Sequence, residues 1–168
     1  MIQMSRESLK PDLVLIGVTL IWGTSFVVVR RTLDDAPPLQ MLFLRFLLAA
    51  VLALLFAARR PKSRAALADG LVLGGLLALG MSLQVVGQAD TTASKAAFLT
   101  GLAVVLTPFV ALFRTRKLPT AGNGAGIALA SAGFFLLTWP AAGGPVNRGD
   151  LFVGAGGVVF AFYGVELA

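Results

Sequence analysis

Residues 70–113 read GLVLGGLLALGMSLQVVGQADTTASKAAFLTGLAVVLTPFVALF, a stretch whose only ionisable side chains, Asp90 and Lys95, sit near its middle. On either side lies an uncharged run, residues 70–89 and 96–113. A helix needs roughly 17 to 25 mostly apolar residues to cross the hydrocarbon core of a bilayer, whereas buried strands take about 4 to 8. Both runs are too long for strands and too continuously apolar for amphipathic surface helices. The stretch therefore reads as two membrane spans joined by a short polar turn.

Working outward, the same reading recurs. Residues 13–29 form one uncharged run, and residues 36–58 form another interrupted only by Arg45. Beyond Lys117, Pro119 and the Trp139-Pro140 pair leave residues 122–138 as helix, because proline is tolerated at a helix start and disfavoured inside. A last run begins at Leu151 and reaches Glu166. The expected fold is an all-α polytopic transmembrane bundle of about six helices. Five lie near residues 13–29, 37–58, 70–89, 94–113 and 122–138, and a sixth lies within 150–168. Residues 1–11 are expected as a cytoplasmic tail and 140–149 as a loop. The connectors hold turn and stop chemistry, as in Asp34-Asp35-Ala36-Pro37-Pro38 and Gly143-Gly144-Pro145. Their shortness predicts that sequential helices are antiparallel neighbours.

Composition agrees. Of 168 residues, 57% are hydrophobic and 13% charged, with mean hydropathy +0.87; soluble domains carry about 25% charged residues. With no His and no Cys, the chain has no histidine base, thiol nucleophile, disulfide or Cys/His zinc site. There is no H-E-x-x-H and no pair of acids inside a span, which argues against an intramembrane enzyme, and no cofactor is expected. The net charge of +6 is not gathered on one face, as nucleic-acid binding would need; it falls in clusters between apolar runs. With the N-terminus cytoplasmic, nine basic residues (Arg6, Lys10, Arg59, Arg60, Lys62, Arg64, Arg114, Arg116, Lys117) lie inside and four (Arg30, Arg31, Lys95, Arg148) outside, as the positive-inside rule favours. A signal peptide is the rival for the first run, but Val27-Val28-Val29-Arg30-Arg31 offers no A-x-A-like cleavage site, so that helix is expected to be retained. Arg59, Arg60, Lys62 and Arg64 would attract anionic inner-leaflet lipid or serve as topological anchors.

Several polar residues sit where lipid would not tolerate them alone. Arg45, about seven residues into the second span, either snorkels to the interface or faces the bundle. Trp22 lies deep in the first span beside Gly23, Thr24 and Ser25, which form either a packing surface or a polar notch in a cavity. Gln84 lies about one and a half turns inside the third span and must find a partner there, as helix-to-helix glue or as a ligand group. Gln88, Asp90, Thr91, Thr92, Ser94 and Lys95 extend this polar junction, where Thr91 to Ser94 can N-cap the next helix. Pro108 interrupts the fourth span, as a hinge or a simple kink.

The run Leu20-Ile21-Trp22-Gly23-Thr24-Ser25-Phe26, then Pro37-Pro38 and Leu44-Arg45-Phe46, resembles the opening of an EamA domain of the drug/metabolite transporter superfamily. TTASKAAFLTG over residues 91–101, with Val104-Val105-Leu106-Thr107-Pro108, resembles that domain's third-to-fourth helix junction and proline-bearing fourth helix. Gly126 to Gly133 fits its fifth helix, and Gly149-Asp150-Leu151 the start of a second copy. The resemblance implies one five-helix repeat over residues 12–139 and the first helix of an inverted second repeat, in a ten-helix alternating-access carrier of metabolites or drug-like solutes. Within it, Trp22, Thr24, Ser25, Gln84, Gln88 and Ser94 are the expected substrate-lining residues, with Gly23, Arg45, Gly101 and Pro108 as hinge or packing positions. The chain is then expected to be a fragment whose other half is a second repeat or a second copy; the alternatives are a non-transporting helix-bundle protein and a half-carrier active only as a dimer. Asp12-Leu13 and Trp22 also match Asp150-Leu151 and Phe160 in spacing. One departure stands out: Arg114-Thr115-Arg116-Lys117 lacks the acid of the family's usual Arg-Glu-Arg loop.

Overall fold

A computed structural model describes residues 6–57, 63–116, 121–138 and 145–167, all in helices or the short turns next to them. The six helices are α1 (Arg6–Asp35), α2 (Pro38–Ala57), α3 (Arg64–Ala89), α4 (Ala93–Thr115), α5 (Ala121–Thr138) and α6 (Arg148–Leu167). Among the described residues α1, α2, α3, α4 and α6 are each long and apolar enough to cross a membrane, so the protein is an all-α integral membrane protein. Arg59, Arg60, Lys62, Lys117, Pro119 and the Trp139-Pro140 stop lie outside the described residues.

Helix ends follow local chemistry. Pro38 opens α2 at the first helical position, where a missing N–H costs nothing, and the Pro37 carbonyl accepts from the Met41 N–H. Ser63 caps α3 by accepting from the Ala66 N–H, so the helix starts well before the uncharged run and carries Arg64 and Asp69 in its first turns. Thr92 caps α4 through the Lys95 N–H. α1 extends past its apolar run at both ends. At 30 residues and 1.5 Å per residue it is longer than the roughly 30 Å hydrocarbon core of a bilayer.

Sequential helices from α1 to α5 touch one another, but the main packing lies elsewhere. The most extensive contacts are those of α6 with α3 and with α4, while α1 with α2 and α3 with α4 touch only sparingly. Glycine is the cause. A Cβ on Gly87 would lie 2.5 Å from the Gly149 carbonyl oxygen, and one on Gly80 would lie 2.7 Å from the Phe160 ring. On the other face of α6, a Cβ on Gly157 would lie 2.7 Å from the Leu99 carbonyl oxygen. Backbones therefore touch where side chains would hold helices apart, as small residues allow in membrane bundles. α6 runs antiparallel to α3 and parallel to α4. A separate apolar cluster of Val29, Leu42 and Val85, flanked by Leu33, Met41, Phe46 and Met81, joins α1, α2 and α3.

Candidate functional site

The polar residues of α3 lie one turn apart and face different neighbours. Gln84 is 5% exposed and donates from Nε2 to Thr100 Oγ1 of α4 at 2.9 Å. Gln88 is 1% exposed and donates from Nε2 to the Phe26 carbonyl of α1 at 2.6 Å. A primary amide buried in a bundle must place its hydrogen bonds on protein, and each of these bridges α3 to another helix. Gln88 thereby meets α1 at the carbonyl of Phe26, next to Ser25, whereas Gln84 turns to α4.

The notch itself is otherwise self-contained. Thr24 Oγ1 donates to the carbonyls of Leu20 and Ile21, and Ser25 Oγ to that of Trp22; such back-bonding is how hydroxyls live inside apolar helices. Trp22 is 46% exposed. Ser94 is exposed in the first turn of α4, and Gly101 is half-buried one residue past Thr100. Arg45 is half-buried on α2, with no ion pair among the described residues. α4 continues through Pro108 as one helix. Pro108 cannot donate to Val104, and the Thr107 hydroxyl donates to the Ala103 carbonyl at 2.7 Å.

A second polar group forms where α3 ends and α4 and α6 begin. Lys95 Nζ donates to Asp150 Oδ2 at 3.1 Å and to the Pro145 carbonyl at 3.0 Å. Asp150 also accepts from the Thr91 hydroxyl and from the Asn147 N–H, while Asn147 Oδ1 accepts from the Asp150 N–H. The last two bonds make a reciprocal N-terminal cap for α6. Asn147 Nδ2 reaches the Asp90 carbonyl, and Arg148 pairs with the Asp90 carboxylate at 2.9 Å. Lys95 and Asp150 are 9% and 6% exposed. Lys95 stands three residues past the Thr92 cap, where its charge opposes the positive end of the helix dipole, and Asp150 occupies the same position on α6, where its charge suits that end. The acid thus answers both its own helix and the lysine.

The sequence places Lys95 in the polar junction between the third and fourth spans and Asp150 at the start of a helix, without pairing them or marking either, or Thr100, as a substrate-lining residue. The available signal was Asn147-x-x-Asp150, a capping pattern beside a span that begins with an acid. Arg114, whose loop lacks the usual acid, instead pairs with Glu166 of α6, Nη2 to Oε2 at 3.0 Å. Among the described residues no group of acids is gathered to hold a metal ion.

Comparison with known proteins gives this bundle a context. Residues 9–139 match the EamA-like transporter family. The chain is 32% identical over 164 residues to a protein of Archaeoglobus fulgidus called an uncharacterized transporter, covering 96% of this chain and 49% of that one. It is 30% identical over 165 residues to the uncharacterized inner membrane transporter YedA of Escherichia coli K12, covering 88% of this chain and 50% of that one. A segment of 55 residues is 42% identical to a probable amino-acid metabolite efflux pump of Escherichia coli K12, 33% of this chain and 18% of that one. The chain thus spans about half the length of the first two relatives. No solved structure matches it.

Proposed function

The chain belongs to the EamA-like transporter family, and from that membership we propose that it supplies one half of a carrier that moves small metabolites or drug-like solutes across the membrane by alternating access. The observation that carries the reading is the family match over residues 9–139, which takes in Gln84 and Gln88 and the Trp22 to Ser25 notch. In this reading Trp22, Thr24, Ser25, Gln84, Gln88 and Ser94 face the solute path, with Gly23, Gly101 and Pro108 allowing the helices to shift and Arg45 positioned between bundle and interface. A second five-helix unit, from a longer chain or a second copy, closes the other side of the cavity. An odd number of spans per unit inverts that second unit relative to the first. Exposed Trp22 on α1 is then available to it.

The N-terminus is cytoplasmic in this reading, on the strength of the basic residues at that end of the bundle, and Arg59, Arg60, Lys62 and Arg64 lie against anionic lipid of the inner leaflet. The membrane is the plasma or inner membrane, as the name of the Escherichia coli relative suggests. Uptake or efflux measured in vesicles containing the complete carrier, with Gln84→Leu and Ser25→Val introduced separately, tests the site. Each is expected to lower the transport rate at least about tenfold, which corresponds to one lost, well-placed hydrogen bond to a solute. Unchanged transport in both variants would sink the assignment.

A further inference from the structure

We propose that the buried Lys95–Asp150 pair is a register device: it fixes how far α6 slides along α3 and α4, a task that the glycine seam cannot perform alone. The seam is periodic. Gly80 and Gly87 on α3 face Gly156 and Gly149 on α6, and the second stripe on α6, Gly157 and Gly164, faces Leu99 and Thr107 on α4. The glycines of each stripe, 80 and 87, 149 and 156, 157 and 164, are seven residues apart. Seven residues make almost two full turns, so the stripes keep their faces when α6 slides by about 10 Å. Gly156 then meets Gly87, and the exchange of Phe160 for Val153 beside that glycine, one apolar side chain for another, is what tells the two seams apart. Apolar contacts with lipid-facing residues distinguish such registers weakly, since lipid tails are as apolar as the side chains.

The polar groups do not repeat. Lys95 is 11% and Asp150 7% exposed at the side chain, and only the native register brings them together with Thr91 and the α6 cap. A slip buries a lysine at a helix N-terminus without its acid. The register also decides what lies beneath Gln84. A Cβ on Gly156 would be 3.3 Å from the Gln84 backbone nitrogen, and one on Gly157 3.8 Å from the Thr100 Cα, so the native alignment seats this glycine pair against the backbone of the two residues that carry the Gln84–Thr100 hydrogen bond. Lys95 and Asp150 are therefore positioning residues, about six residues or 9 Å along α6 from the contact they align. A single buried polar group setting helix register is the best-attested use of such groups.

The test needs no transport assay, and it is independent of what the carrier moves. The chain has no cysteine, so introduced thiols report without background. Thr107→Cys with Gly164→Cys marks the native register: a Cβ on Gly164 would lie 3.8 Å from Thr107 Cγ2, in ordinary contact. Thr100→Cys with Gly164→Cys marks the slipped one. Each pair is oxidised mildly in the full chain in lipid, and free thiols are counted by alkylation and intact mass.

With Lys95 and Asp150 in place, the native pair should oxidise at least about tenfold more than the slipped pair. Lys95→Met or Asp150→Leu alone should raise the unfolding equilibrium constant more than about a hundredfold, because each strands a buried charge. The double variant Lys95→Met, Asp150→Leu should recover most of that stability while the preference for the native disulfide collapses toward parity. A second double variant, Lys95→Gln with Asp150→Asn, should lose the preference too and guards against poor folding of the first. If either folded double variant keeps the native disulfide alone, the glycine seam sets the register and the proposal fails. It fails equally if the single variants are as stable as the parent.

Discussion

α1 and α6 begin alike and end differently. Each carries Asp-Leu where its apolar run starts, Asp12-Leu13 within α1 and Asp150-Leu151 in the first turn of α6, and each places an aromatic ten residues after the acid, Trp22 and Phe160. Yet Asp12 and Trp22 are exposed while Asp150 and Phe160 are buried. The difference lies in the partner surface. α6 meets α3 and α4 at glycines, whereas Gly17 and Gly23 of α1 have nothing within 4 Å of where a Cβ would stand. A helix of this composition does not bury itself by its own pattern; it is buried when a neighbour offers a matching groove. α1 has found only part of one, through the Gln88 hydrogen bond and the Val29 cluster.

The largest effect expected from this contrast is at the glycines. Gly87→Leu puts a side chain where 2.5 Å separates a Cβ from the Gly149 oxygen, with Val153 at 2.8 Å, and the obstacle is backbone that cannot turn aside. α3 and α6 must separate along their length, at a cost of about 3 kcal/mol or more. Gly23→Leu on α1 enters open space and should change stability by less than about 0.5 kcal/mol. Thermal or denaturant unfolding of the two variants in the same lipid reads this directly. Equal losses would mean that the glycine contacts do not hold α6.

A smaller effect is expected at the amides. Gln84→Leu leaves the Thr100 hydroxyl without its buried partner, which costs about 1 to 3 kcal/mol. Thr24→Val removes only a hydroxyl bonded to its own helix at an exposed position and should cost less than about 0.5 kcal/mol. The same unfolding measurement ranks them. A Thr24→Val loss as large as that of Gln84→Leu would show that α1 is held as firmly as the α3–α4 seam.

The spans were legible because length and continuous apolarity are properties of each segment alone. Gln84 was legible as a buried amide for the same reason: depth within a run can be counted. What could not be read is what depends on two segments at once. Thr100 is an ordinary hydroxyl until Gln84 faces it, and Lys95 is one polar group among several at a turn until Asp150, fifty-five residues later, stands opposite. The dominance of α3–α6 and α4–α6 contacts over those of sequential helices was hidden likewise. Glycines separated by seven residues in two distant helices carry no pairing instruction until the helices are side by side. The helix of α3 reaches beyond its uncharged run for a simpler reason: the run begins after Asp69, but the helix begins at the Ser63 cap.

The smallest effect distinguishes the two ends of α6. Near its first turn the helix is tied by the buried Lys95–Asp150 pair; at the other end Arg114 meets Glu166 with side chains 60% and 25% exposed. Ion pairs in water-facing positions contribute about 0.2 to 1 kcal/mol, since solvent screens the attraction and two long side chains lose freedom. Glu166→Gln should therefore destabilise by no more than about 1 kcal/mol, and the difference from the parent should shrink between low and high salt as the Debye length falls from about 30 Å to about 3 Å. A buried pair is screened far less, so the cost of Asp150→Leu should stay nearly constant over the same range. Unfolding at two salt concentrations separates the cases. If the Glu166→Gln loss resisted salt, the Arg114 end would be a second buried tie, and α6 would be fixed at both ends rather than anchored at one.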